Sequence, residues 1–182
     1  QSGFQICALL ARDTEAAKLS NVFPQDEPRD LYTGVLNALE TRATGAEGFV
    51  QSKLLLLKLD RSKIKSLVIP MVSAAGKASM TGKIRRMFSH KEYEDHGEKS
   101  INATARWLSK SLKDVLDEMT PGAMGYLDWA SSMGKAASTG RNGISWTAPS
   151  GLPVHQYPWY KGAQGHASRA LPANFVQCVD AS

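Results

Sequence analysis

Apolar residues recur at helical spacing along most of this chain and give way to short, proline-punctuated runs only near its end. Residues 2–20 carry Phe4, Ile6, Cys7, Leu10 and Leu19, with Arg12 and Asp13 outside the apolar set, and predict a mostly buried helix. Pro24 and Pro28 interrupt it. Residues 29–43 predict a second helix with Leu31, Val35, Leu36 and Leu39 on one face. Gly45 to Gly48 is a loop. Residues 51–73 predict one long helix with a kink at Pro70, where a backbone donor is missing. Gly76 and Gly82 flank a small-residue segment. Residues 101–119 give the cleanest stripe: Ile101, Ala105, Leu108, Leu112, Val115, Leu116 and Met119, ended by Pro121 and Gly122. Residues 124–137 predict another helix. After Gly140, residues 143–160 predict two strands joined by a turn near Pro149 to Gly151, and residues 174–179 predict a last strand. The fold class is mainly α with a small β hairpin and sheet portion. No internal repeat or linker divides the chain.

The 182 residues, 42% of them hydrophobic, suffice for one cored domain or a piece of a larger one. The two cysteines, Cys7 and Cys178, form neither a metal spacing nor a disulfide framework, which suits a reducing compartment. The longest apolar run, Leu54 to Leu57, is far short of a membrane span, and no signal peptide opens the chain. The chain starts at Gln1 without methionine, residues 2–11 already look like the inside of a helix, and the chain ends straight after a strand-like NFVQCV, so an internal fragment is expected. Between Lys53 and Lys91 stand ten lysines or arginines and one acid, Asp60, a bias that fits a polyanion partner. A solvated lysine-rich face would read the same way.

Arg61 and Lys65 sit four residues apart and so share a helix face, about 6 Å from one another. Lys58 is expected on the same side. Stacked cations suit a polyphosphate, since arginine offers a planar fork to phosphate oxygens and lysine a compact charge with a transferable proton. Leu67, Val68 and Ile69 follow as candidates to pack against a base, and Ser73 to Gly76 as small residues allowing close approach. An amphipathic helix whose lysines face water has the same spacing. Other chemistries lack their motifs. His90, His96, His155 and His166 have no ligand spacing, no Gly-x-Ser-x-Gly elbow occurs, and GKASMTGK at 76–83 has the wrong glycine spacing for a phosphate loop.

Three stretches, in order, resemble the single-subunit, bacteriophage-type RNA polymerases of phages and mitochondria. SGFQICALLARD at Ser2 to Asp13 is similar to the run after the family's first catalytic aspartate. DRSKIKSLVIPMVSA is similar to the nucleotide-binding helix of the fingers. WTAPSGLPVHQY at Trp146 to Tyr157, with PANFVQCVDAS at Pro172 to Ser182, resembles the hairpin and Asn-Phe-Val run before the second catalytic region. The resemblance implies part of a right-hand polymerase fold. Residues 1–45 would be palm-proximal helices, 46–140 the fingers with the nucleotide-binding helix, and 141–182 the palm hairpin and strand. It implies that Arg61 holds the outer phosphates of the incoming nucleotide and that Lys65 contacts the phosphates and protonates the leaving pyrophosphate. Ile69 would face the templating base. Tyr32 in DLYTGV would line the nucleotide site or serve as a half-buried core tyrosine.

Ser73 and Ala74 stand where the family has Tyr-Gly, so ribose selection in the parent enzyme is expected to be relaxed or achieved elsewhere. Gln177 and Cys178 replace a common His-Ser. The family's two metal-holding aspartates would lie shortly before Gln1 and beyond Ser182, so the isolated chain is expected to be inactive, and the Mg2+ ions of the parent enzyme to have their ligands elsewhere. The implied partners are a DNA template, an RNA product and nucleoside triphosphates, with no membrane and a monomeric parent. The rivals are a family A DNA polymerase fragment and a non-catalytic basic helical nucleic-acid-binding domain. The expected location is host cytoplasm, as a viral protein of a bacteriophage, with the mitochondrion as alternative.

Overall fold

A computed structural model describes residues 2–73, 77–137, 144–156, 171–176 and 178–179. The expected features at Ala74 to Gly76, at the end of the second strand and at Gln177, Asp180 and Ser182 lie outside these residues. The described residues are mainly helical with one two-stranded antiparallel sheet, as the apolar spacing predicts. They form two compact units.

One unit comprises residues 28–71 and 75–119. Its elements are α3 (Leu31–Ala43), α4 (Gly48–Leu57), α5 (Arg61–Val72, to Met71 in this unit), α6 (Lys77–Arg85), α7 (His90–His96) and α8 (Glu98–Met119). The expected stripe of α8 is its core. Ile101, Ala105, Leu108, Leu112, Val115 and Leu116 are all fully buried, and α3, α4, α6 and α7 pack against α8. Burying each large aliphatic side chain contributes about 1.5–3 kcal/mol before the entropy of ordering is counted. Helix α7 opens with a complete capping box between Ser89 and Glu92. Where α3 nears α8, a Cβ on Gly34 would come within 2.9 Å of the Met119 terminal methyl, and the flexible end of that side chain would have to shift.

The single helix expected over 51–73 is two helices. Lys58 adopts a left-handed conformation (φ 43°) and ends α4, while Asp60 accepts the Lys63 N–H at 2.8 Å and starts α5. Lys63 reaches back to the α4 terminus, where its Nζ donates to the carbonyls of Leu57 (2.5 Å) and Lys58 (3.0 Å). Periodicity alone hid the break because apolar residues continue on both sides of it. Lys58 therefore does not extend the Arg61 and Lys65 face of a common helix.

Pro70 lies inside α5. With no N–H it leaves the Ser66 carbonyl without its helical donor. Lys83, from α6, donates to that carbonyl at 2.5 Å. The expected small-residue segment around Gly82 is thus a helix that repairs α5 from outside.

The other unit comprises residues 1–27, 72–74 and 120–182. The one helix expected over 2–20 is α1 (Ser2–Leu10) and α2 (Thr14–Leu19). Arg12 is left-handed (φ 53°), and the N–H groups of Arg12 and Asp13 bond the carbonyls of Leu9 and Ala8, a Schellman stop made without glycine. Asp13 then caps twice. Its carboxylate accepts the Ala16 N–H of α2 at 2.9 Å and the Ala123 N–H of α9 (Pro121–Ala137) at 3.0 Å. Pro121 and Gly122 consequently open α9 and do not merely end α8. Proline suits the first turn of a helix, and a Cβ on Gly122 would strike the Asp13 Cβ at 2.8 Å.

Helix α1 packs on α9, burying Phe4, Cys7 and Ala8 with Ala123, Met124 and Leu127 in one core. Burial pushes the Cys7 thiol up to about 11, with a backbone hydrogen bond only partly opposing it. Strands β1 (Ile144–Thr147) and β2 (Pro153–Gln156) pair from Ile144 opposite Gln156 to Thr147 opposite Pro153. Their turn falls where expected. The Gly151 N–H closes onto the Ala148 carbonyl at 2.8 Å, with Pro149 second in the turn and Gly151 at φ 85°. The strand expected at 174–179 is overturned. Residues 171–176 and 178–179 are helical, Pro172 stands in the first turn, and Pro172 and Val176 are buried at the i, i+4 spacing of one helical face. Phe175 from this segment lies 6.3 Å from the Trp146 ring.

The repair of α5 makes a double-mutant prediction. Lys83→Met should lower the opening free energy of the α5 amides by about 1–3 kcal/mol, read by native-state hydrogen exchange on the intact protein. Pro70→Ala restores the intrahelical donor, so in that background the cost of Lys83→Met should fall below about 0.5 kcal/mol. Equal costs in the two backgrounds would refute the repair.

Candidate phosphate site on helix α5

Helix α5 has two faces. Ile64, Leu67, Val68 and Met71 are buried on one, and Arg61, Lys65 and Ile69 are exposed at i, i+4 and i+8 on the other. Leu67 and Val68, expected as candidates to pack against a base, are 0% and 1% exposed and belong to the core. Ile69 is 42% exposed and remains accessible. Ser73 is exposed immediately past the end of α5 and belongs to the unit of residues 1–27, 72–74 and 120–182.

Tyr32 lies beneath the cations. It is 4% exposed on α3, with the Arg61 guanidinium carbon 5.3 Å and the Lys65 Nζ 6.0 Å from its ring centroid. The ring's negative face attracts both charges. Tyr32 therefore serves as a core tyrosine and as a floor for the pair at once. Burial raises its phenol above the ordinary range, the Asp30 charge adds to this, and the Arg61 charge opposes it.

Arg61 is fixed from the side by Asp30, a residue that sequence reasoning did not single out. The Arg61 Nε donates to Asp30 Oδ2 at 2.6 Å and its Nη2 to Oδ1 at 3.0 Å, a two-pronged pair. Asp30 also caps α3, accepting the Thr33 N–H at 3.1 Å and the Thr33 hydroxyl at 2.5 Å. The capping role is legible in Asp30-Leu31-Tyr32-Thr33. The pairing with Arg61, 31 residues away, leaves no local signal. Burial alone would raise the Asp30 carboxyl, but the hydrogen bonds from Arg61 and Thr33, with the Arg61 charge, more than offset it and hold the group down to about 2 from 3.8.

Lys65 makes no ion pair among the described residues. Three of its neighbours in the basic block are spent on structure. Lys63 caps α4 and Lys83 repairs α5. Arg85 bonds Glu98 at 2.9 Å, with its Nε 3.4 Å from the Tyr93 hydroxyl. A charge count over the block overstates the cation left for a partner. An apolar cavity of about 490 Å³ in the same unit, lined by Leu39, Leu54, Trp107 and Leu108 among others, includes none of Arg61, Lys65 and Tyr32.

No cluster of three or more histidine, cysteine or acidic side chains gathers among the described residues. Asp13 is committed to two helix caps and Asp30 to Arg61 and Thr33. Among the described residues the carboxylates do not gather into a Mg2+ ligand set.

A family model of DNA-dependent RNA polymerase matches residues 1–182, and the chain belongs to that family. It is similar to DNA-directed RNA polymerase 3, chloroplastic, of Nicotiana sylvestris, at 26% identity over 100% of this chain and 21% of that protein. It is 30% identical to DNA-directed RNA polymerase 2, chloroplastic/mitochondrial, of Arabidopsis thaliana over 85% of this chain and 16% of that protein. The mitochondrial DNA-directed RNA polymerase of Homo sapiens is 26% identical over 85% of this chain and 13% of its own length. The chain thus spans about a fifth or less of the length of the curated relatives it matches. The resemblance to single-subunit, phage-type RNA polymerases is borne out. No helix among the described residues is long and apolar enough to cross a membrane.

The depressed Asp30 carboxyl fixes a pH dependence. Its folded value lies below its ordinary one, so its contribution is complete above about 4 and is lost as pH falls toward about 2. Protection of the Thr33 amide against exchange should persist to about pH 3 and fade earlier in Arg61→Met. A midpoint near 3.8 in both proteins would contradict the pairing.

Proposed function

We propose that this chain is the nucleotide-binding segment of a DNA-directed RNA polymerase that copies a DNA template from ribonucleoside triphosphates. The observation that carries the reading is the paired cations on α5: Arg61 and Lys65 share an exposed face above the buried Tyr32 ring, and Lys65 has no carboxylate partner among the described residues. Arg61 presents a fork to the outer phosphates and Lys65 a point charge and a proton for the departing pyrophosphate. Ile69, one turn further along the same face, is the candidate contact for the templating base. The family match supports the reaction class, and the relatives' printed names support transcription as the parent role. Those names also favour an organellar over a viral setting.

The parent enzyme uses Mg2+ in this reading, supplied with ligands from outside this chain. The chain's own residues bind and orient the triphosphate and move one proton at the leaving group. By itself the chain is inactive. The parent acts as a monomer on DNA, with an RNA product. The proposed division is palm-proximal helices at 1–45, fingers at 46–140 and palm hairpin at 141–182.

In the intact polymerase, Arg61→Ala should raise KM for nucleoside triphosphates by about tenfold, the loss of one charge-assisted phosphate contact. Lys65→Ala should lower kcat by about 10²–10⁴-fold if it is the proton donor. Unaltered steady-state constants in both variants would refute the phosphate reading. Ser73 generates a separate expectation. With a short side chain where the family has tyrosine, the intact enzyme should discriminate weakly between ribo- and deoxyribonucleotides in kcat/KM. Strong ribose preference that survives Ser73→Ala would show that selection lies elsewhere.

A further inference from the structure

The proposed phosphate site already holds an anion. Asp30 fills the Arg61 fork edge formed by Nε and Nη2, the geometry in which a phosphate would present two oxygens. One edge cannot serve both. Over the three side chains Arg61, Lys65 and Asp30 the net charge with the pair closed is +1 + 1 − 1 = +1, so an entering anion meets Lys65 as its one uncompensated cation among these three. Asp30 has a second attachment. The Thr33 N–H and hydroxyl both donate to its Oδ2, which holds the carboxylate at the α3 terminus whether or not Arg61 is present. Arg61 is the more exposed and less anchored partner, its side chain 55% exposed against 28% for Asp30. When Arg61 leaves, Oδ2 stays on its cap through the two Thr33 donors, and Oδ1 exchanges the Arg61 Nη2 for water.

From this geometry we infer that Asp30 is an anionic placeholder, released from Arg61 only by a polyphosphate that can reach Arg61 and Lys65 together, and that it thereby selects triphosphates over monophosphates. The inference rests on the phosphate reading proposed above. A monophosphate carries about −1.5 to −2 charge and competes poorly with a carboxylate already seated in the fork. A triphosphate carries more charge and spans both cations, so its second contact drives the exchange. Asp30 touches neither substrate nor reacting atoms and is a positioning residue.

The test is steady-state kinetics of the intact polymerase carrying Asp30→Asn, with a ribonucleoside monophosphate as competitive inhibitor. Asparagine caps a helix as well as aspartate does, so α3 keeps its start while the charge is removed. Asp30→Ser, a second capping variant without charge, serves if the first does not fold. The expected result is a fall in triphosphate KM and a larger fall in the monophosphate inhibition constant, each about two- to fivefold, the range of an exposed ion pair. Neither shift should occur in the Arg61→Ala background. Unchanged or raised constants in Asp30→Asn, while Arg61→Ala still raises KM, would overturn the placeholder alone and leave Asp30 as an orienter of Arg61. No effect of Arg61→Ala on KM would overturn the phosphate reading and the placeholder with it.

Discussion

The buried stripe of α8 is the constraint on which the rest of its unit depends. Ile101, Leu108, Leu112, Val115 and Leu116 are removed from water completely, and α3 and α6 pack against the helix that carries them. Those two helices then grip α5 through polar groups. Asp30, at the start of α3, holds Arg61, and Lys83, on α6, holds the Ser66 carbonyl. The apolar core sets where α3 and α6 stand, and two hydrogen-bonded clamps place the exposed cationic face of α5. For the proposed nucleotide contact, this mounting sets where α5 stands before a phosphate arrives, while Asp30 keeps the Arg61 fork occupied until one displaces it.

Proline inside that helix gives the mounting a second meaning. Pro70 costs α5 an internal bond, and the chain answers with a lysine from a neighbouring element. Lys63 does the same for the end of α4, and Asp13 for the starts of α2 and α9. These three charged side chains satisfy backbone groups that local structure leaves open. This is why the basic block between Lys53 and Lys91 cannot be read as a uniform polyanion surface. Within the block, Arg61 and Lys65 stand out as a pair on one face, with Tyr32 beneath and Asp30 beside.

Apolar periodicity by itself determined the helical character, the α8 core and the hairpin turn, because each is a local pattern: a stripe at i, i+3 and i+4, or a proline and glycine at fixed places in a turn. The family, too, was legible in three short motifs. Helix ends were less so. The breaks at Arg12 and Lys58 use left-handed residues that are not glycine, and apolar residues run on past both, so only the capping aspartates Asp13 and Asp60 mark them locally. The residues 174–179 read as a strand because Phe175, Val176, Cys178 and Val179 favour one, yet burial of Pro172 with Val176 fits a helical face. Of the site, the sequence determined the spacing that puts Arg61, Lys65 and Ile69 on one face. Only the tertiary structure decided that Tyr32 lies under the cations, that Leu67 and Val68 are core, and that Asp30 occupies Arg61. Those facts join residues about 30 positions apart or depend on which way a helix faces, and neither contact distance nor burial is written in local sequence.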